Sequence, residues 1–270
     1  MDEQELKQAI TQVFDTVSSG YDNHGLRFFQ KSAEQLPGFF QLKGGENLLD
    51  NATGTGRAAI VLANHLPEGK ITGVDLSSEM LAQARQKAKK NQLTNTEFRV
   101  MDIESLDFPD QHFDHANCSF CLFFLSDMVN ALQHIKSKVK AGGKIISCCF
   151  SESSFQPQNS LFIDRIQSYG VEVSEGGFKR LSTEEKNIEL YHNAGLKNVQ
   201  VFRRELGYYQ KNAEEWWDII WYAGYRAYVN QLSDEQMQHF KAAHLQEVQA
   251  LSTEKGIYLP MDILFAVGEV

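Results

Sequence analysis

The sequence predicts an α/β fold, a doubly wound and mostly parallel sheet of seven strands under a helical cover. Three observations carry this expectation. Short apolar runs alternate with amphipathic stretches across residues 46–150. A glycine-rich turn follows the first run directly. Acidic residues stand at the ends of the first three runs.

Each element follows from its local pattern. Leu6, Ile10, Val13, Phe14 and Val17 recur at helical spacing over residues 5–17, until Ser18-Ser19-Gly20 breaks the helix. A second helical stretch spans about 26–35, and Pro37-Gly38 is expected to end it. Asn47-Leu48-Leu49-Asp50 reads as the first strand, entering the turn Thr53-Gly54-Thr55-Gly56; residues 57–66 are helical. Ile71 to Asp75 is the second strand. Ser77 then caps a helix holding Met80, Leu81, Ala84 and Ala88. Strand three is Phe98 to Asp102 and strand four Phe113 to Ser119. A helix over about 127–139 follows, and Ala141-Gly142-Gly143 turns into strand five, Lys144 to Phe150.

Beyond residue 150 the alternation loosens. Leu161 to Tyr169 is helix-like and Gly176-Gly177 marks a loop. Ser182 with Glu185 suggests a capping box for a helix to Asn193, with Gly195 as its C′ residue. Val199 to Phe202 reads as strand six. Asn212 with Glu215 suggests another capping box, opening one aromatic-rich helix to about Leu232; Ser233 with Gln236 opens the next. Ile257 to Val267 is apolar and β-prone despite Pro260, and reads as one terminal strand.

Composition narrows the function classes. The chain has 270 residues, 42% of them hydrophobic, which suffices for a large core. With 26 Lys+Arg against 35 Asp+Glu the net charge is −9, and the basic residues do not cluster beyond Arg85 to Lys90. Nucleic-acid binding is therefore disfavoured. The N-terminus is acidic from Asp2, without the basic and apolar regions of a leader. No apolar stretch approaches the ~20 residues of a membrane span. Four cysteines are too few for a disulfide scaffold, so a reducing, cytoplasmic setting is expected.

The turn and its acids carry the chemistry. Glycines let backbone approach a ligand closely, and the following helix offers unpaired N–H groups. Asp75 lies nineteen residues past Gly56. A carboxylate there accepts both hydroxyls of a ribose. Asp50, Asp75 and Asp102 end three consecutive strands, and ligands of open α/β sheets bind at such ends. One such acid alone reads as a turn cap; three beside a glycine turn point to a nucleoside-containing ligand. Gly54-x-Gly56-x-x-Ala59 also fits a dinucleotide fingerprint, which keeps a nicotinamide-dependent oxidoreductase as the alternative. Asp50, standing before the glycines, suits instead a ligand with an ammonium group, and Asp102 suits an exocyclic amine.

At Leu48-Leu49-Asp50-Asn51-Ala52-Thr53-Gly54-Thr55-Gly56 the chain resembles the first motif of class I S-adenosylmethionine-dependent methyltransferases. Val74 to Leu81, Met101 to Pro109 with Phe113-Asp114, and Ala141 to Lys144 are similar to the motifs that follow. Val13-Phe14-Asp15 with Val17 and Tyr21-Asp22 resembles the N-terminal segment of the ubiquinone/menaquinone-biosynthesis (type 11) subgroup. The resemblance runs over about residues 10–150. Ala52 replaces the commonest first glycine, and Thr53 stands where the subgroup often has Cys.

The resemblance implies a Rossmann-like sheet whose last strand runs antiparallel, and S-adenosyl-L-methionine as cofactor. It places the methionine part at Ala52, Thr53, Gly54 and Gly56 beside Asp50, Cys118 and Ser119. It gives the ribose to Asp75, and the adenine to Leu76, Met80, Asp102 and Ile103, with Tyr21 on a lid. Residues 1–45 would then be the lid, 46–150 the cofactor core and 151–212 its completion with a substrate-side insertion. Residues 213–255 would form a helical cover, and 256–270 the last strand.

Methyl transfer from a sulfonium is an in-line displacement by an already activated donor, so neither a triad nor a metal is expected. A base is needed only if the acceptor must lose a proton; His24 and Tyr21 are the candidates. A small apolar or aromatic acceptor is expected near Phe120, Phe123 and Phe124. Trp217, Trp221 and Tyr225 stand with Tyr228 and Leu232 on one helical stripe, either packing the helix or walling the substrate pocket. A methyltransferase fold without catalysis is the third alternative. Cys118-x-x-Cys121 lacks the second pair that a structural zinc needs, and reads as buried thiols.

Overall fold

A computed structural model describes residues 3–173 and 177–270; Asp2 and Gly176, noted above, lie outside them. In chain order the elements are α1 (Glu3–Val17), α2 (Arg27–Ala33), α3 (Leu36–Phe40), β1 (Asn47–Asn51), α4 (Arg57–Ala63), β2 (Lys70–Asp75), α5 (Ser78–Lys90), β3 (Thr96–Val100), β4 (His115–Ser119), α6 (Met128–Lys138), β5 (Lys144–Phe150) and α7 (Gln158–Ser168). They continue with α8 (Glu184–Asn193), β6 (Lys197–Glu205), β7 (Tyr208–Gln210), α9 (Ala213–Tyr222), α10 (Arg226–Val229), α11 (Asp234–Gln249), β8 (Ile257–Leu259) and β9 (Asp262–Glu269).

Seven strands form one sheet in the order β3-β2-β1-β4-β5-β9-β6. β1 pairs in parallel with β2 and β4, whereas β9 runs antiparallel to both β5 and β6. The expected doubly wound sheet with an antiparallel last strand is therefore present. β9 is inserted between β5 and β6, away from the sheet edge. The central strands are apolar because helices cover both faces: Leu48, Leu49, Ile71, Val74, Ile145 and Ile146 are fully buried. The chain leaves β1 toward one side of the sheet and returns to β4 on the other. That reversal opens a crevice at the carboxyl ends of β1 and β4.

The shortest-range signals hold. The Ser77 hydroxyl accepts from the Met80 N–H at 3.0 Å, and Ser233 with Gln236 closes a capping box. Gly195 is left-handed at φ 75°, as a C′ residue should be. Other boundaries move. Pro37-Gly38 do not end the second helix; Pro37 sits in the first turn of α3, where its missing N–H costs nothing. The cap of α8 is Thr183, one residue past the expected Ser182. Asn212 stands at the N-cap of α9 without bonding by its side chain; Gln249 Oε1 instead accepts from the Ala213 N–H at 3.0 Å. Strand four starts at His115, while Phe113 makes only an isolated bridge to Val139.

Two larger expectations fail. The aromatic helix is not continuous: Ala223 is extended (φ −133°, ψ −164°), and α10 restarts at Arg226. Gly224 is a poor helix former, and the Tyr225 hydroxyl is drawn to Asn159 Oδ1 at 2.7 Å. The terminal strand is likewise two. Pro260 has no N–H for a ladder, so β8 pairs with β7 in a separate ribbon and β9 begins after it.

Candidate functional site

The turn after β1 is built by backbone conformation. Ala52, Gly54 and Gly56 all have positive φ. A side chain on Gly54 would meet open space, whereas a Cβ on Gly56 would lie 2.9 Å from the Ala84 Cβ. Gly54 therefore leaves backbone bare toward a ligand, and Gly56 lets α4 and α5 approach. The Thr53 N–H donates to the Val74 carbonyl at 2.9 Å, tying the turn to β2.

Three carboxylates line the cavity at this turn, Asp50 and Asp75 bonded to the turn itself. Asp75 accepts from the Gly54 N–H at 2.8 Å and the Ser77 N–H at 2.9 Å, and burial raises its pKa. Asp50 is 1% exposed and accepts from the Thr53 hydroxyl and from Asn117 Nδ2. Burial pushes its carboxyl up to about 6, against those two hydrogen bonds. Asp102 pairs with Lys7 Nζ at 2.9 Å; the same ammonium reaches Glu104 at 2.6 Å.

These groups line one cavity of about 1300 Å³, open mouth included. Its roof comes from α1, through Leu6, Lys7, Ile10 and Phe14. Part of the lining is aromatic. Tyr21 stacks on Phe29 at 5.2 Å, Phe29 meets Phe120 at 5.0 Å, and Phe14 meets Phe124 at 5.7 Å.

Tyr21 is held by a clamp. Asp22 accepts from Thr55 Oγ1 and pairs with Arg57 (2.7 Å) and Lys87 (2.5 Å). Burial opposes ionisation of Asp22, yet Lys87 and Arg57 together hold its carboxyl below the usual range. Arg57 also donates to the Tyr21 and Leu26 carbonyls at 2.9 Å each.

The structure brings most of the expected residues to this cavity: Tyr21, Asp50, Ala52, Thr53, Gly54, Asp75, Leu76, Met80, Asp102, Ile103, Ser119, Phe120 and Phe124. Others stand apart. Gly56 packs against α5, and Cys118 is fully buried outside the lining, which Cys121 reaches instead. Phe123 turns into the core against Phe150. His24 is exposed and away from the cavity, so it is no base for this site. Tyr21 does line the site, but burial drives its pKa upward, which keeps the phenol protonated. Trp217 and Trp221 line a separate groove between α9 and α11, and Tyr225 is bonded to Asn159; none of the three walls the cavity. The break at Ala223 takes Tyr225 off the stripe, while Trp217 and Trp221 stay on one face of α9 that looks toward α11. The sequence reading has residues 1–45 as a lid, but it does not single out Leu6, Lys7, Ile10, Phe14 or Phe29 as lining residues. The periodicity of α1 was visible, but an apolar face has the same spacing whether it packs on a core or over a ligand. All four cysteines are buried free thiols.

Comparison with known proteins follows the same outline. A family described as "Methyltransferase domain" matches residues 48–143. The chain is 33% identical over 146 residues to an aklanonic acid methyltransferase of Streptomyces sp. (strain C5), covering 54% of this chain and 66% of that one. It is 30% identical over 161 residues to a ubiquinone/menaquinone biosynthesis C-methyltransferase of Bdellovibrio bacteriovorus, covering 57% and 67%. The chain thus spans between 55% and 67% of the length of the curated relatives it matches. Its fold matches Haemonchus contortus phosphoethanolamine N-methyltransferase 2, solved with S-adenosyl-L-methionine. That match has a TM-score of 0.56 at 17% identity, over 95% of this chain and 56% of the other. None of these likenesses supports the nicotinamide alternative.

Proposed function

This chain belongs to the class I S-adenosylmethionine-dependent methyltransferases of the ubiquinone/menaquinone-biosynthesis type, and we propose that it methylates a small apolar or aromatic molecule. The observation that carries this reading is one cavity shared by Asp50, Asp75 and Asp102 and by the cluster Phe14, Phe29, Phe120 and Phe124.

The residues fit the cofactor. Gly54 leaves backbone bare, and Asp50 is a buried carboxylate that accepts from a hydroxyl and an amide, neither of them a cation. Asp50 would take the ammonium group. Asp75, with lone pairs left after its two backbone bonds, would take the ribose hydroxyls. Leu76, Met80, Asp102 and Ile103 would take the adenine. When bound, the cofactor supplies a methyl group on a positively charged sulfur, so the donor needs no activation by the protein.

The chain's own task is placement. The aromatic lining would hold the acceptor flat and exclude water, while the clamp on Tyr21 fixes one wall. Tyr21 is a hydrogen-bond donor in this reading, since burial keeps its phenol protonated. It orients an acceptor oxygen and removes no proton. The relative named for ubiquinone and menaquinone biosynthesis supports a ring-bearing acceptor. The buried thiols suit a cytoplasmic setting, and no helix among the described residues is long and apolar enough to cross a membrane.

Calorimetric titration with S-adenosylmethionine and with S-adenosylhomocysteine tests the reading, followed by label transfer to a panel of phenols and hydroquinones. Saturable cofactor binding with transfer to a ring acceptor is expected. An absence of cofactor binding at millimolar concentration would overturn it.

A further inference from the structure

We propose that Phe120 sets the depth of the acceptor space, so that removing its ring admits an acceptor one fused ring larger. This rests on the methyl-transfer reading, in which the cofactor fills the acid-lined part of the cavity.

Phe120 follows Ser119, the last residue of β4, and lines the cavity beside it. Its backbone is left-handed, at φ 56°. Bulky residues rarely adopt that conformation, because Cβ crowds the following carbonyl. The N–H of Phe120 donates to the Cys148 carbonyl at 2.8 Å, which fixes the strained residue to β5. The strain thus comes with a ring held at one place in the lining.

That ring is braced from behind. Phe150, outside the lining, lies 4.7 Å from it, and Phe29 flanks it within the lining at 5.0 Å. On its other side Phe150 meets Phe155 at 4.8 Å. Phe155 is itself left-handed, at φ 66°, and 2% exposed, and it leans on Phe28 at 5.6 Å. Two strained phenylalanines therefore bracket a buried third. Interiors packed at crystal density yield little, so Phe120 has nowhere to retreat when a ligand presses on it. Phe120 remains half-buried, its open face toward the cavity, which a residue serving the core alone would not need.

Glycine adopts the same backbone without strain, so Phe120→Gly removes the ring while keeping the turn. Phe120→Leu shortens the side chain and keeps an apolar wall. The experiment measures equilibrium binding of phenol, naphthol and anthrol to the full chain saturated with S-adenosylhomocysteine. In the parent protein, affinity falls at the ring size that meets Phe120. In Phe120→Gly that limit moves up by one ring: affinity for the first excluded probe rises at least tenfold relative to the next smaller one. Phe120→Leu moves it in the same direction by less. If Phe120→Gly does not melt cooperatively, Phe120→Leu carries the test. Ratios within twofold of the parent in a variant that melts cooperatively and binds S-adenosylhomocysteine overturn the assignment of Phe120 and leave the methyl-transfer reading standing. A parent protein that fails to bind S-adenosylhomocysteine overturns that reading and this one with it.

Discussion

Lys7 Nζ lies 2.9 Å from Asp102 Oδ2, joining the first helix of the chain across 95 residues to the loop after the third strand, which ends at Val100 rather than at the expected Asp102. The same ammonium lies 2.6 Å from Glu104. The helix that roofs the cavity is therefore tied to the acids at the rim beneath it.

Lys7→Met should loosen this roof. Both partners are only about a quarter exposed, so the pair is worth about 0.5–1 kcal/mol. Amide hydrogen exchange across residues 3–17 should quicken several-fold, while exchange in β1 and β4 stays as it was. Unchanged protection of α1 would show that its apolar face alone holds it down.

Asp75→Ala should weaken S-adenosylmethionine binding by about 1–3 kcal/mol. The loss has two sources: the ribose partner disappears, and the N–H groups of Gly54 and Ser77 lose the carboxylate that orients them. Titration calorimetry on a folded variant checks this. An unchanged affinity would remove Asp75 from the cofactor site.

Cofactor affinity should depend on pH through Asp50. Burial raises its carboxyl to about 6, so near that pH the free protein carries the group half-protonated. An incoming ammonium needs the charged form. Affinity should therefore rise from pH 5 to 7 and level off above. Binding at pH 6 should release about half a proton, and at pH 8 almost none. Calorimetry in buffers of different ionisation enthalpy measures that number directly. A pH-independent affinity would mean that the ammonium is held elsewhere.

His244 predicts the acid limb of stability. It is fully buried, and its Nε2 accepts from Trp216 Nε1 at 2.8 Å, which requires the neutral ring. Burial, aided by Arg165, lowers its pKa to about 4 from the usual 6.5. A group with a lowered folded value stabilises fully above its unfolded pKa and loses that contribution as pH falls toward the folded one. The window is thus pH 6.5 down to 4, and the stability lost across it is roughly 3 kcal/mol. Urea unfolding at pH 7 and pH 4.5 tests the slope. His244→Gln should flatten it, even though that variant is less stable at pH 7.

What was legible in the sequence is what short-range physics dictates. Leu48-Leu49 running into the glycine turn, Ser77 before Met80, and three acids at strand ends are decided within a few residues of each other. Those signals sufficed for the seven-stranded sheet and for the placing of Asp50, Asp75 and Asp102 on one cavity. The tertiary structure alone decided the rest. The same apolar spacing serves a core helix and a roof, so only packing could put Phe14 over the cavity and send Trp217 to a separate groove. Tyr225 left its helical stripe for Asn159, 66 residues away, and Arg27 found Glu215 across 188. Periodicity records which faces of the chain avoid water. Which surface each face meets is settled by partners distant in the chain, and local pattern holds no trace of them.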